Sequence, residues 1–134
     1  MQATTKRGKV RTGGLCHVAI DVSDLDRSAQ FYTGMFDMEV VGRSDRIVHL
    51  KTAGAEDSFF LFQADGPVSP QGCGLTHFHF GFKIGEDDYE KALDYVRQNN
   101  VKVHPNPNRA PGRFVYIEDP DGYVIQLEPG DCGG

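Results

Sequence analysis

The sequence predicts an α+β fold in which two βαβββ modules form a curved mixed sheet that encloses a cleft. An alternating apolar and polar segment that begins Leu-x-His occurs twice, at residues 15–22 and 75–82, and places His17 and His77 at matching positions. Each segment precedes a stretch with helical apolar spacing and then three short strand-like segments. The second half of the chain therefore repeats the architecture of the first.

The first module follows the order strand, helix and three strands. After the strand at 15–22, Ser23 and Asp26 resemble a capping box, and apolar residues recur at helical spacing until Gly34 and Asp37 end the pattern. Short segments of strand composition follow at 38–42, 46–52 and 58–63.

The second module has the same order. Three acidic residues, Glu86, Asp87 and Asp88, suit the N-terminus of a helix whose apolar positions continue to Asn99. Strands are predicted at 101–104, 113–118 and 123–128, and the Asp119-Pro-Asp-Gly122 sequence between the last two indicates a tight turn without a chemical role.

The length fits one domain. We expect a flexible N-terminal tail at 1–13 and a single domain at 14–134. Within that domain, a first module at 14–64 and a second at 75–129 are joined by a linker at 65–74, which is rich in Gly, Pro and Asp.

Composition limits the partners. The net charge is −5 and basic residues cluster only in the tail, so a nucleic-acid groove is not expected. No apolar run approaches the roughly 20 residues that span a bilayer. The three cysteines are far apart and lack metal or CxxC spacing, which predicts free thiols in the cytoplasm. A small-molecule partner is expected instead.

Side-chain alternation along the strands assigns residues to a core face or to the opposite face. Cys16 falls on the core face and is expected to be inert, whereas several polar residues share the opposite face: His17, His77, His79, Tyr116, Gln126 and Glu128. Histidines, an amide and a carboxylate beside aromatic rings are typical of a ligand cleft. His49 and His104 are expected to be solvated.

The segment at 58–63 is apolar on both faces, so alternation leaves two choices for the cleft. Either Phe60 and Phe62 or Phe59 and Leu61 line it. We favour Phe60 and Phe62, which would give the cleft an aromatic wall for a substrate ring or chain.

Three stretches resemble the vicinal oxygen chelate superfamily, which includes glyoxalase I, fosfomycin-resistance proteins, extradiol dioxygenases and bleomycin-resistance proteins. They are 17–32 (HVAIDVSDLDRSAQFY), 76–82 (THFHFGF) and 116–126 (YIEDPDGYVIQ). With the repeat, the resemblance extends from Leu15 to Pro129. It is specific for the fold and not for one activity.

The resemblance implies one divalent metal ion, Fe, Mn, Zn or Ni. His17 and His77 match the two first-strand ligands of metal-using members, but the position of their glutamate ligand is Gln126. An amide oxygen attracts a cation less strongly than a carboxylate does. Glu128 lies on the same face by alternation, so either Gln126 or Glu128 is a candidate third ligand.

Further residues receive candidate roles around this ion. Glu128, His79 and Tyr116 are the candidate catalytic groups, because an acid/base and a hydrogen-bond donor to an oxyanion are needed near a polarised carbonyl. Arg113 and Phe114 join Phe60 and Phe62 as candidate substrate-binding residues.

Two classes of function follow from the resemblance. The first is a metal-dependent lyase, isomerase or ring-cleaving dioxygenase whose substrate chelates the ion through neighbouring oxygens. The second is a metal-free binding protein of the bleomycin-resistance type, which the aromatic wall and the glutamine would suit. Analogy with relatives also suggests a homodimer.

Overall fold

The computed structural model describes residues 8–70, 78–104 and 115–130. The elements along the chain are β1 (Val18–Val22), α1 (Leu25–Met35), β2 (Met38–Arg43), β3 (Ile47–Thr52), β4 (Phe59–Gln63), β5 (Phe80–Ile84), α2 (Glu86–Gln98), β6 (Val115–Glu118) and β7 (Val124–Pro129). This order confirms the α+β class and the repeated module. The segment predicted as a strand at 101–104 contributes one antiparallel bridge, between Val103 and Ile117.

Each module forms its own hydrogen-bonded sheet. The first has the order β1-β4-β3-β2 and the second the order β5-β7-β6. In both, the first strand of the module is parallel to its neighbour, β1 to β4 and β5 to β7, and the remaining pairs are antiparallel. Consequently β1 and β5, which overlap the two segments that begin Leu-x-His, are edge strands of their sheets.

Helix α1 begins with a different cap from the one predicted. Asp24 is the N-cap, and its carboxylate accepts the Arg27 N–H at 3.0 Å. The predicted capping box of Ser23 and Asp26 is therefore wrong. The Ser23 N–H donates instead to Asp121 in the second module, at 3.0 Å, and its hydroxyl accepts the Val68 N–H. Ser23 is thus engaged in tertiary contacts.

Helix α2 agrees with its sequence pattern. It starts after Gly85 with three acidic residues in its first turn and carries Arg97 in its last turn, an arrangement that complements the helix dipole. The helix ends at Gln98 and is capped by Asn99, whose backbone N–H donates to the Tyr95 carbonyl oxygen, and Asn100 follows with φ 54°. Such a left-handed residue is common just after a helix.

One hydrophobic core takes in the helix-facing sides of both sheets. Phe59 of the first sheet lies 5.4 Å from Phe80 of the second, and Phe36 stacks on Phe82 at 4.3 Å, measured between ring centroids. Phe59 and Leu61 are buried. This confirms the choice of Phe60 for the opposite face of β4, and the polar faces of both sheets lie outside the shared core.

The turn between β6 and β7 fastens the second module to the first. Asp119 is buried; one carboxylate oxygen accepts the Tyr32 hydroxyl at 2.7 Å, and the other accepts three backbone N–H groups of the turn. Arg27 donates to Asp121 at 2.9 Å, and the Tyr123 hydroxyl donates to the Asp21 carbonyl at 2.8 Å. The prediction of a tight turn is confirmed, but its contacts with the first module were not predicted.

Burial dominates the electrostatics of this turn. Desolvation raises the pKa of Asp119 above its ordinary value, although the hydrogen bonds from Tyr32 and from the turn N–H groups oppose that rise. Desolvation and the Asp119 carboxylate raise the pKa of Tyr32 well above its ordinary value, which keeps the phenol a hydrogen-bond donor.

Within the described residues, no helix has the length and apolar character needed to cross a bilayer.

Candidate functional site

His17 lies just before β1, exposed on the face of the first sheet opposite the core. Its Nδ1 is 3.2 Å from the Cys16 sulfur, and its ring meets the Phe60 ring edge-on with centroids 5.4 Å apart. A shallow hollow of about 330 Å³ is lined by residues 15–18 and 55–58. Two side chains therefore restrict the orientation of the imidazole at the edge of this hollow.

Cys16 does not occupy the position predicted for it. It is exposed with a free thiol, whereas alternation along the strand had assigned it to the core. The reason is that β1 begins only at Val18, so the strand periodicity does not extend back to Cys16.

The second sheet gathers four of the predicted site residues on the face opposite its core. Tyr116 of β6 pairs with Gln126 of β7, and the Gln126 amide nitrogen donates to a Glu128 oxygen at 3.0 Å. The His79 ring, just before β5, meets the Tyr116 ring edge-on with centroids 5.9 Å apart. Tyr116 is buried, while the other three are half-buried.

His17, Gln126 and Glu128 carry donor atoms of the kinds that bind divalent metal ions. Only the nitrogen of an amide can donate to a carboxylate, so the Gln126 oxygen is the atom left to accept or to ligate. Likewise, Cys16 engages His17 at Nδ1, which leaves Nε2 for a metal, a common arrangement for ligating histidines. Imidazole nitrogen with amide and carboxylate oxygen suits first-row divalent metals.

The contacts described for each side chain stay within its own module. His17 contacts Cys16 and Phe60, and Gln126 contacts Glu128. Among residues 8–70, 78–104 and 115–130, no three His, Cys, Asp or Glu side chains come together as a metal-binding group. His77, Arg113 and Phe114 lie outside these ranges, so their predicted roles remain predictions.

The structure corrects the expectation that His49 and His104 are solvated. Both are half-buried. The Nε2 atom of His49 lies 3.0 Å from the Ser58 hydroxyl, and its ring stacks on Phe60 with centroids 4.2 Å apart and 19° between planes. His104 pairs through Nδ1 with Glu118 at 2.9 Å. β3 and β4 pair in a register that puts His49 directly beside Phe60, and the sequence does not determine that register.

No role was predicted for Gly81 from the sequence. It sits on β5 directly beside Gln126 on β7. A Cβ atom at Gly81 would lie 3.1 Å from the Gln126 carbonyl oxygen and 3.2 Å from the Gln126 Cβ. Since both atoms belong to a central strand, they have little room to move, and glycine is what allows the close approach.

Gly81→Ala is expected to lower the free energy of unfolding by about 1 to 2 kcal/mol, because the added methyl group overpacks against Gln126. Gly66→Ala is the matched control, since nothing lies within 4 Å of the Cβ position there. Urea denaturation of both variants measures the effect. Equal stability of the two variants would show that β5 and β7 can move apart at this point and make room for the added methyl group.

Comparisons of the chain with protein-family models and with known proteins both found matches over most of its length. A family model described as Glyoxalase/Bleomycin resistance protein/Dioxygenase superfamily matches residues 14–127. A probable lactoylglutathione lyase, chloroplastic, from Arabidopsis thaliana is 31% identical over 123 residues, which are 84% of this chain and 35% of that protein. The chain thus spans about a third of that relative's length.

Two bacterial proteins match over most of both chains. Metallothiol transferase FosB from Staphylococcus epidermidis is 26% identical over 118 residues, 85% of this chain and 80% of its own. The crystal structure of the fosfomycin resistance protein FosX from Listeria monocytogenes, complexed with Mn(II) and sulfate, superposes with a TM-score of 0.75 at 22% identity, covering 91% and 94% of the two chains. This last likeness shows a common fold.

Proposed function

Because this chain belongs to the glyoxalase/bleomycin resistance protein/dioxygenase superfamily, we propose that it is a divalent-metal-dependent enzyme whose small substrate chelates the metal through neighbouring oxygens. The observation that carries the proposal is the donor chemistry of two sheet faces: an oriented imidazole at His17, and the Gln126 amide held on Glu128. Lyase, isomerase and ring-cleaving dioxygenase reactions all suit such a site. Among these, lyase chemistry has the most direct support, since one relative is named a probable lactoylglutathione lyase.

The metal set consists of His17, His77 and an oxygen of Gln126 or Glu128, with Fe, Mn, Zn or Ni as the candidate ion. When bound, a divalent ion supplies Lewis acidity to substrate oxygens. A structure of one relative holds Mn(II), which favours Mn(II) as the first metal to test.

The remaining residues have roles set by their positions. Glu128 lies beside Gln126 and acts as the proton acceptor, or as the third ligand in place of Gln126. Tyr116 and His79, in ring contact, supply hydrogen bonds to substrate oxygens. Phe60 and Phe62, with ring centroids 6.3 Å apart, form an apolar wall for the substrate, to which Arg113 and Phe114 are proposed to contribute.

The site is completed by a second copy of the chain. The contacts of His17 lie in the first module and those of Gln126 in the second, while both polar faces lie outside the shared core. β1 and β5 are both edge strands, and within residues 8–70, 78–104 and 115–130 each pairs with a strand on one side only. A twofold dimer in which β1 of each copy lies beside β5 of the other would cover these edges and bring the two donor sets together.

An exposed free thiol at Cys16, next to His17, supports location in a reducing compartment such as the cytoplasm. In an oxidising compartment this thiol would be open to disulfide formation or oxidation. The proposed substrate remains a small molecule, since the net charge of −5 disfavours nucleic acid as a partner.

Metal analysis tests the proposed function. Full-length protein purified without chelator is expected to hold about one divalent ion per chain, and protein stripped with EDTA is expected to rebind Mn(II). Acetohydroxamate, which presents two neighbouring oxygens, should bind the Mn(II)-loaded protein and not the stripped protein. Calorimetry measures the binding of Mn(II) and the binding of acetohydroxamate.

The alternative function is metal-free binding of a planar small molecule, as in bleomycin-resistance proteins. The stack of His49 on Phe60, with Phe62 beside it, favours this alternative because it offers a ready aromatic surface. Negligible metal content, together with equal binding of bleomycin by stripped and Mn(II)-treated protein, would replace the enzyme proposal with this one.

A further inference from the structure

A serine and a histidine form a hydrogen-bonded pair on the open face of the first sheet. His49 Nε2 lies 3.0 Å from the Ser58 hydroxyl. His49 lies on β3, and Ser58 immediately precedes β4. Neither residue belongs to the metal set proposed above. Both are half-buried, so the pair is partly shielded from water.

Ser58 lies beside His17. The Val18 N–H donates to the Ser58 carbonyl oxygen at 3.2 Å, which fixes the neighbouring strands in register. Ser58 also lines the same hollow of about 330 Å³ as His17. A ligand held on the His17 imidazole within this hollow is therefore within reach of the Ser58 side chain.

The ring of His49 is held in place by its neighbour. It stacks on Phe60 with 4.2 Å between centroids, and Phe60 in turn contacts His17 edge-on. When His49 Nε2–H donates to Ser58 Oγ, the serine proton is directed to another acceptor. An oxyanion or carbonyl oxygen in the hollow would be such an acceptor, and the two successive hydrogen bonds would strengthen each other.

We propose that His49 is a positioning residue that holds the Ser58 hydroxyl as a hydrogen-bond donor to an oxygen of the chelating substrate beside His17. The inference rests on the proposed function and adds a specificity element to it. The ligand class is a small molecule with two neighbouring oxygens, one of which carries negative charge. No proton or bond is transferred in this step.

Binding of acetohydroxamate to the Mn(II)-loaded, full-length protein tests the pair. Ser58→Ala and His49→Phe are each expected to weaken acetohydroxamate binding about tenfold, since a hydrogen bond to a charged oxygen is lost, while the Mn(II) affinity stays unchanged. His49→Phe keeps the stack on Phe60. The double variant should bind no more weakly than either single variant, because the two residues act as one unit.

The controls separate this role from general stability. Ser58→Thr keeps a hydroxyl and should bind nearly as well as wild type. His104→Phe removes an imidazole that pairs with Glu118 on the second module, and it should leave the probe affinity unchanged. Thermal unfolding shows which variants fold, and His49→Gln replaces His49→Phe if the latter does not fold.

Each outcome has a distinct meaning. A wild-type protein that binds neither Mn(II) nor Zn(II) overturns the proposed function, and this inference falls with it. If Mn(II) and acetohydroxamate bind but Ser58→Ala binds the probe as tightly as wild type, the role of the pair alone is overturned. If Ser58→Ala weakens binding and the His49 variants do not, His49 has no positioning role.

Discussion

Asp119→Ala is expected to lower the free energy of unfolding by about 3 kcal/mol, because the Tyr32 hydroxyl and the Asp121 and Tyr123 N–H groups lose the carboxylate that accepts their hydrogen bonds. The Gly122 N–H keeps a second acceptor, the Asp119 backbone carbonyl at 3.0 Å. Tyr32 is fully buried, so water cannot replace the lost carboxylate there. The same change loosens the contact between the modules, since this turn also holds Arg27 through Asp121. Urea denaturation followed by fluorescence or circular dichroism measures the loss.

Two matched variants separate the contributions at this turn. Asp119→Asn keeps an oxygen for the turn N–H groups and a polar group facing Tyr32, so it should cost much less than Asp119→Ala. Tyr32→Phe removes only the 2.7 Å bond and should cost about 1 to 3 kcal/mol. An Asp119→Ala variant as stable as wild type would show that the turn does not hold the modules together.

The pH dependence of stability has a defined sign at Asp119. Its pKa is raised in the folded state, chiefly by burial, so the folded protein binds a proton there more tightly than the unfolded chain does. Stability contributed by this group is present below the ordinary pKa of 3.8 and is lost as pH rises through the raised folded value. As the pH rises from 3.8 through the folded pKa of Asp119, the free energy of unfolding of the wild type should therefore fall relative to that of Asp119→Asn.

His17→Ala is expected to weaken Mn(II) binding by about 100-fold or more, because an imidazole ligand is removed and a nearby water cannot match its affinity. His17 is exposed, so the substitution should change the free energy of unfolding of the metal-free protein by less than about 1 kcal/mol. Calorimetric titration with Mn(II) measures the affinity. His104→Ala is the control, since His104 pairs with Glu118 and does not belong to the proposed metal set.

A His17→Ala protein that binds Mn(II) as tightly as wild type would remove His17 from the metal set. If His104→Ala weakens binding to the same degree, the loss reflects a general disturbance of the fold. Gln126→Ala and Glu128→Ala extend the comparison, because the third ligand should show the larger loss and its neighbour the smaller one.

The fold was predictable because its signals are local and repeated. Two Leu-x-His segments, two helical patterns and Gly- and Pro-rich turns indicate the module order without any knowledge of tertiary contacts. Strand alternation reduced the choice at 58–63 to two alternatives, since a strand has only two faces, but it could not choose between them because both faces are apolar. The burial of Phe59 and Leu61 shows that the favoured alternative has the correct face for Phe60.

The features that were missed depend on contacts between distant parts of the chain. Alternation failed at Cys16 because the strand begins two residues later, and no local pattern marks where a strand starts. Ser23 had the composition of a helix cap, yet its contacts with Asp121 and Val68 decided its role. The contact of Asp119 with Tyr32 likewise joins the two modules, and no residue pattern within either module predicts it.

The same limit applies to the site itself. Periodicity placed His17 and Gln126 on the open faces of their sheets, but it does not determine which open faces meet. That depends on how the edge strands β1 and β5 are covered, which is a question of assembly.

Mixing two defective chains tests whether the metal site forms between copies. Equal amounts of His17→Ala protein and of the double variant Gln126→Ala/Glu128→Ala, each unable to bind Mn(II) tightly, are unfolded and refolded together. If the ligands come from different chains, half of the dimers are hybrids with one intact site, and Mn(II) binding should return to about one quarter of the wild-type sites. No recovery in a mixture that contains hybrid dimers would show that the ligands do not come from two copies.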